Sequence, residues 1–232
     1  MNPRFLALAS AALAFASAAE AAERNYTVTQ FTKIRVDGGY SVKLVTGVSP
    51  FAKASGSPAA LDSVSVDVQG QTLVIRRNQS AWGGYSGQGP GPVELTLGTH
   101  DLTSLWLNGG GRIAVDKVRG QTFQISVDGS GSVSVANLAV DKLQTNLEGS
   151  GSVVLGGSVA DARLELDGPG EIDASALSAK NATIAAVGSA VVKATVTDTV
   201  DVRAFGTASV EVSGNPACTT RATGSATISG CR

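Results

Sequence analysis

The sequence predicts an all-β chain, a right-handed parallel β-helix (β-solenoid) with coils of about 18–20 residues. Three observations carry that prediction: an internal repeat, period-2 hydrophobic alternation within each copy, and a composition suited to short strands and tight turns. Of 232 residues, 28 are Gly, few are aromatic, and Val, Ser, Thr and Ala abound. Such residues favour pleated strands and turns.

The repeat is clearest in four copies: Trp106–Val115 (WLNGGGRIAV), Ser126–Val135 (SVDGSGSVSV), Asn146–Leu155 (NLEGSGSVVL) and Glu165–Ala174 (ELDGPGEIDA). Weaker copies continue at Ala185–Ala194, Arg203–Val212 and Arg221–Gly230. The first turn glycines are Gly109, Gly129, Gly149, Gly168, Gly188, Gly206 and Gly224, stepping by 18 to 20 residues. So narrow a period indicates a stacked array in which each copy contacts only its neighbours.

Columns inside the repeat define its faces. Two residues before the turn Gly stand Leu107, Val127, Leu147, Leu166, Ala186, Ala204 and Ala222. Four after it stand Ile113, Val133, Val153, Ile172, Val192, Val210 and Ile228. Polar residues fill the alternate positions. This alternation on both sides of the turn predicts two half-buried strands per copy with their apolar faces pointing the same way. Copies stacked about 4.8 Å apart would form ladders of like side chains over a continuous core. The alanines of the later copies suggest a core that narrows toward the C-terminus. Asp-Gly between alternating runs is also a hairpin signal, so antiparallel sandwiches, barrels and propellers compete. A propeller blade takes about twice this period, which favours the solenoid.

Before the array, Phe31–Leu44 fits the same frame around Gly38 and reads as the first coil. Leu61–Ile75 reads as further strands around a Gln69-Gly70 turn. A Gly-rich loop at 78–92 (NQSAWGGYSGQGPGP within it) interrupts the array. Ahead of all this, residues 1–21 carry a basic start, an apolar run from Phe5 to Ala16 and A-x-A patterns ending at Ala18 and Ala21. That tripartite pattern is a secretory signal peptide, leaving residues 22–232 as a single β-helix domain with no transmembrane segment after cleavage. The apolar run is short for a membrane span, which needs about 20 residues.

A net charge of −1 and the lack of a basic stripe argue against nucleic acid. The two cysteines, Cys218 and Cys231, suit a disulfide in an exported protein. Cys218 falls in an inward column, so the bridge would staple the last coil.

Together the opening Phe31–Gly47 (FTKIRVDGGYSVKLVTG) and the DGSGSV, EGSGSV and DGPGEI repeats resemble the bacterial head GIN domain family, the auto-transporter adhesin head. The likeness runs from about Phe31 to the C-terminus. It implies a secreted or envelope β-helix, in the periplasm or at the cell surface of a bacterium.

Candidate sites are few. Directly before the turn Gly stand Asp37, Asn108, Asp128, Glu148 and Asp167, then Val187, Phe205 and Thr223. Asp128, Glu148 and Asp167 form a ladder that either holds Ca²⁺ through clustered carboxylates or sets the turns by bonding backbone amides. The Ca²⁺-binding G-G-x-G-x-D repeat is absent, which favours the turn role. Trp82 and Tyr85 in the Gly-rich loop are candidate ligand-binding residues, offering aromatic surface to a glycan or an envelope or cell-surface component. His100, the single histidine, has no G-x-S-x-G elbow for a nucleophile and too few partners for zinc. No catalytic set emerges. The function expected is a non-catalytic, adhesin-like binding surface without a cofactor. The alternatives are a carbohydrate-active enzyme in a groove of the helix, or a structural envelope protein.

Overall fold

The computed structural model describes residues 22–78 and 91–231. It is a parallel β-solenoid of about 6 turns, as the repeat predicts. In chain order the strands are β1 (Ala22–Tyr26), β2 (Lys33–Asp37), β3 (Ser41–Thr46) and β4 (Phe51–Gly56). A short helix α1 (Pro58–Asp62) follows, then β5 (Val64–Gln69), β6 (Thr72–Arg77), β7 (Val93–Thr99) and β8 (Ser104–Asn108). The long bent strands β9 (Arg112–Gly129), β10 (Ser132–Gly149), β11 (Ser152–Asp167), β12 (Glu171–Gly188) and β13 (Val191–Gly206) each make nearly a whole coil. The chain closes with β14 (Ser209–Ser213), β15 (Ala217–Gly224) and β16 (Thr227–Ser229).

Register confirms the columns read from sequence. Val133 pairs with Ile113 and Val153, and Leu147 pairs with Val127 and Leu166, all in parallel. Within the coil from Gly131 to Gly149 the inward residues are Gly131, Val133, Val135, Leu138, Val140, Leu143, Thr145 and Leu147. Exposed pairs at Ala136–Asn137 and Asp141–Lys142, with the Gly turn, break that run at three corners. Each coil is therefore three-sided. The sequence columns account for the two sides flanking the Gly turn; the third, at Leu138–Val140 and its equivalents, follows a register shift after Val135.

The N-terminal end is arranged differently from simple stacking in chain order. β2 pairs with β6 on one side and β8 on the other, and β3 lies likewise between β7 and β9. The coil that comes first in sequence is thus sandwiched inside the stack. β6 and β7 form the next coil outward, flanked in turn by β5 and β4, and the chain enters it through the β5–β6 hairpin, whose Gly70 adopts φ +63°. Antiparallel pairing is confined to this end, in β1–β4, β4–β7 and β5–β6. Ser57 caps α1 by accepting from the Ala60 amide, and Ala60 and Leu61 are buried beneath it.

At the other end, inward columns run out. Thr220 and Ala222 continue buried columns yet are exposed, because no further coil covers them. The Cys218–Cys231 disulfide staples this last coil, with Cα atoms 5.7 Å apart. Both cysteines lie partly buried against the core.

The alanines of the later coils come with a compensating change in a facing column. Two residues before each turn Gly the column changes from Leu to Ala, while two residues after it Gly111, Gly131, Gly151 and Gly170 give way to Ala190 and Ala208, both buried. A Cβ on Gly151 would lie 3.1 Å from Leu147 Cδ1, and one on Gly131 2.6 Å from Leu107 Cδ2. Ala opposite Ala carries two side-chain carbons where Leu opposite Gly carries four, so the second alanine makes up part of the lost volume.

Candidate functional site

The outer surface is built from the positions that alternate with the core. On the side preceding the Gly turn, three outward columns run along the stack. Most of their residues are short and polar: Gln124, Ser126 and Asp128, then Gln144, Asn146 and Glu148 in the next coil. Two large aromatics interrupt them: Phe205 near the C-terminal end and Trp106 near the N-terminal end. Trp106 lies between the buried Leu105 and Leu107 of β8, so strand alternation turns it outward, and it is half-buried.

Around Trp106 the register gathers polar groups from distant segments. Arg35 is its direct partner on β2, and Ser126 its partner on β9. Asn108, two residues on, pairs with Asp37. The Arg35 Nε–H donates to both Asp37 carboxylate oxygens at 3.1 Å, and the Asn108 amide donates to Asp37 Oδ1 at 2.5 Å. Arg35, Thr72, Trp106 and Asn108 line a shallow depression of about 360 Å³. Sequence reasoning missed this cluster. Trp106 stands at the head of the first clear repeat, and its outward phase is legible, but only the register of β2 and β6 supplies its companions.

The acidic residues do stack. Glu148 is the register partner of both Asp128 and Asp167, and all three are exposed. Asn146 donates to Glu148 Oε1 at 3.4 Å. Among the described residues no group of three or more His, Cys, Asp and Glu side chains is disposed to hold a metal ion. Further along the same column, Val187 and Phe205 are paired and about 40% exposed (39% and 41%), so the ladder passes from acidic to apolar. His100 is exposed at a bend, its carbonyl accepting from the Gly47 amide. Trp82 and Tyr85 lie outside the described residues, as do residues 1–21.

Elsewhere a corner depression of about 410 Å³ is lined by Asp161, Asn181, Thr199 and Asp201 together with core-edge residues. Asn181 donates to Asp161 at 3.0 Å and accepts from Thr199 at 2.7 Å, so these groups satisfy one another. Asp173 is a carboxylate held by its own strand. The Ser175 hydroxyl and amide both donate to its Oδ1, at 2.6 and 3.0 Å, and hold it below the ordinary carboxylate range. No helix among the described residues is long and apolar enough to cross a membrane.

Fold and surface together define a parallel β-solenoid with a solid core and a flat, rigid exterior. The chain belongs to the family described as "Putative auto-transporter adhesin, head GIN domain", whose profile matches residues 30–216. No curated protein sequence matches the chain. Solved structures share the fold. A protein from Bacteroides fragilis named a putative adhesin superposes with a TM-score of 0.80 at 20% identity, over 90% of this chain and 95% of its own. One from Parabacteroides distasonis, named a putative lipid binding protein, gives 0.72 at 20% identity over 91% and 96%. A Parabacteroides merdae protein named a putative adhesin gives 0.65 at 16% identity, over 91% and 96%.

Proposed function

We propose that this chain is an exported, non-catalytic binding protein of the adhesin kind, engaging glycans or other components of a bacterial envelope or cell surface. The observation that carries this reading is the outer face itself. Parallel ladders run uninterrupted from β2 to β13, so outward side chains sit at fixed intervals on a backbone that hydrogen bonds and a packed core hold in place. Such a surface binds by several modest contacts made at once, with little ordering cost. The leader-like residues 1–21 support export, and the Cys218–Cys231 bridge suits an oxidising compartment. The adhesin names of the Bacteroides fragilis and Parabacteroides merdae structures favour the same role.

The test is binding of the mature protein, starting at Ala22, to arrays of glycans and envelope components, with and without Ca²⁺. Saturable binding is the expected result. Degradation of an arrayed glycan would identify an enzyme, and silence across the arrays would leave a structural envelope role.

A further inference from the structure

Resting on that reading, we infer that the Trp106 depression is a saccharide site, and that its ligand is a neutral sugar residue of a larger glycan. Four observations converge on it. Trp106 is the one tryptophan among the described residues, and it stands on an outer face otherwise made mostly of polar side chains. An indole partly exposed on a flat sheet is a platform for the C–H face of a pyranose, apolar beneath and wet at its rim. Ser126, its neighbour on β9, is too short to cover it.

The second observation is the polar frame. Arg35, Asp37 and Asn108 are already joined by hydrogen bonds, so their side chains are held before any ligand arrives. Each retains spare capacity. Arg35 has its terminal guanidinium nitrogens beyond the Nε that bonds Asp37, Asn108 keeps its carbonyl oxygen and a second N–H, and Asp37 has lone pairs on both oxygens. Planar donors and acceptors beside an aromatic platform match the paired hydroxyls of a sugar.

Charge decides the ligand class. Arg35 and Asp37 form an ion pair, with side chains 53% and 31% exposed, so their two charges offset each other. A phosphate or carboxylate ligand would have to compete with Asp37 for the guanidinium, whereas a neutral hydroxyl adds to the network without breaking it. Size agrees as well: the depression of about 360 Å³ is lined from three strands, β2, β6 and β8, and is open to solvent, which suits one or two sugar rings of a chain continuing along the face.

The experiment uses the mature protein and the tightest-binding neutral oligosaccharide found on the glycan array. In a ¹H–¹⁵N titration of the wild type, the Trp106 indole N–H and the backbone amides of Arg35, Asp37 and Asn108 should shift saturably. Trp106→Ala and Asn108→Ala should each weaken binding at least about tenfold, the loss expected on truncating a central anchor. The titration needs no variant to fold, so it stands even if Trp106→Ala is unstable. Shifts confined to other residues, or wild-type affinity in both variants, would overturn the site while leaving the adhesin reading intact. Binding of envelope components but of no neutral glycan would overturn the ligand class alone. Failure to bind anything would remove both.

Discussion

Gly149 stacks on Gly129 so closely that a Cβ on Gly149 would lie 2.5 Å from the Gly129 carbonyl oxygen. The backbone at Gly149 also has φ +109°, a conformation that L side chains rarely adopt. The positive φ recurs at all seven first turn glycines and the close approach at five of them, which explains why the position holds Gly in every copy while its neighbours vary. Gly149→Ala should therefore lower stability by several kcal/mol, well beyond the propensity difference of about 1 kcal/mol. Ser150→Ala, at the exposed next position of the turn, should change it by less than about 0.5 kcal/mol. Urea unfolding of the two variants checks the contrast.

Thr145 supplies a test of the opposite sign. It is fully buried in a column whose neighbours are Ile125 and Leu164, and its hydroxyl has no hydrogen-bond partner. Thr145→Val keeps the shape and removes the unsatisfied group, so it should stabilise the protein by about 1 kcal/mol. A rise in the urea midpoint with unchanged m value is the expected reading.

Much of this architecture is legible in the sequence because a solenoid is nearly one-dimensional. The Gly period, the inward columns at Leu107 or Ile113 and their equivalents, and the pairing of Cys218 with Cys231 all follow from local spacing. What is not legible depends on contacts between dissimilar segments. Nothing in Phe31–Leu44 shows that β6 will lie outside it, since that placement arises from Ile34 pairing with Leu73 on one side and Leu105 on the other. The same interleaving hides the Trp106 site, whose Arg35 and Thr72 come from separate parts of the chain. In the alanine-rich copies part of the volume lost at Ala186 is made up at Ala190, in a column that earlier coils leave to Gly. Trp82 and Tyr85 were legible as aromatic surface and remain proposals for ligand contact; replacing both with Ala and repeating the array measurement tests them.

The Cys218–Cys231 bridge spans 13 residues and lies on a coil whose inward columns are exposed to solvent. Closing a loop of this size contributes about 3 kcal/mol. Because the last coil contacts only one neighbour, removing the bridge should act locally. Cys218→Ala with Cys231→Ala should raise amide exchange across β15 and β16 while leaving β9 to β12 protected. Equal loss of protection along the whole stack would show that the coil is coupled to the rest more tightly than nearest-neighbour stacking allows.

Asp173 gives a pH-dependent prediction. Its carboxylate is held below the ordinary value by Ser175, so the folded state binds this proton less readily than the unfolded chain. The stabilisation is fully present above the unfolded value, near 4, and is lost as pH falls through the lower folded value. Ser175→Ala removes the hydroxyl bond. It should destabilise the protein at pH 7 and converge on wild type as the pH approaches 2. Because Asp173 is partly exposed, the effect should be small, and paired urea curves at the two pH values will resolve its direction.

The acidic ladder sets electrostatics against turn geometry. Asp128, Glu148 and Asp167 are direct register partners, and like charges opposite one another on a sheet are destabilising by roughly 0.2–1 kcal/mol. Glu148→Gln keeps the acceptor for the Asn146 amide but removes the central charge. It should raise the melting temperature at low ionic strength, with the gain shrinking as salt screens the exposed pairs. If the acids serve only the turns, NaCl and CaCl₂ at matched ionic strength should stabilise wild type alike. If wild type gains more from CaCl₂ than from NaCl, and Glu148→Gln does not, the three carboxylates hold a cation instead. That outcome would join the ladder to the binding face as a metal-dependent element.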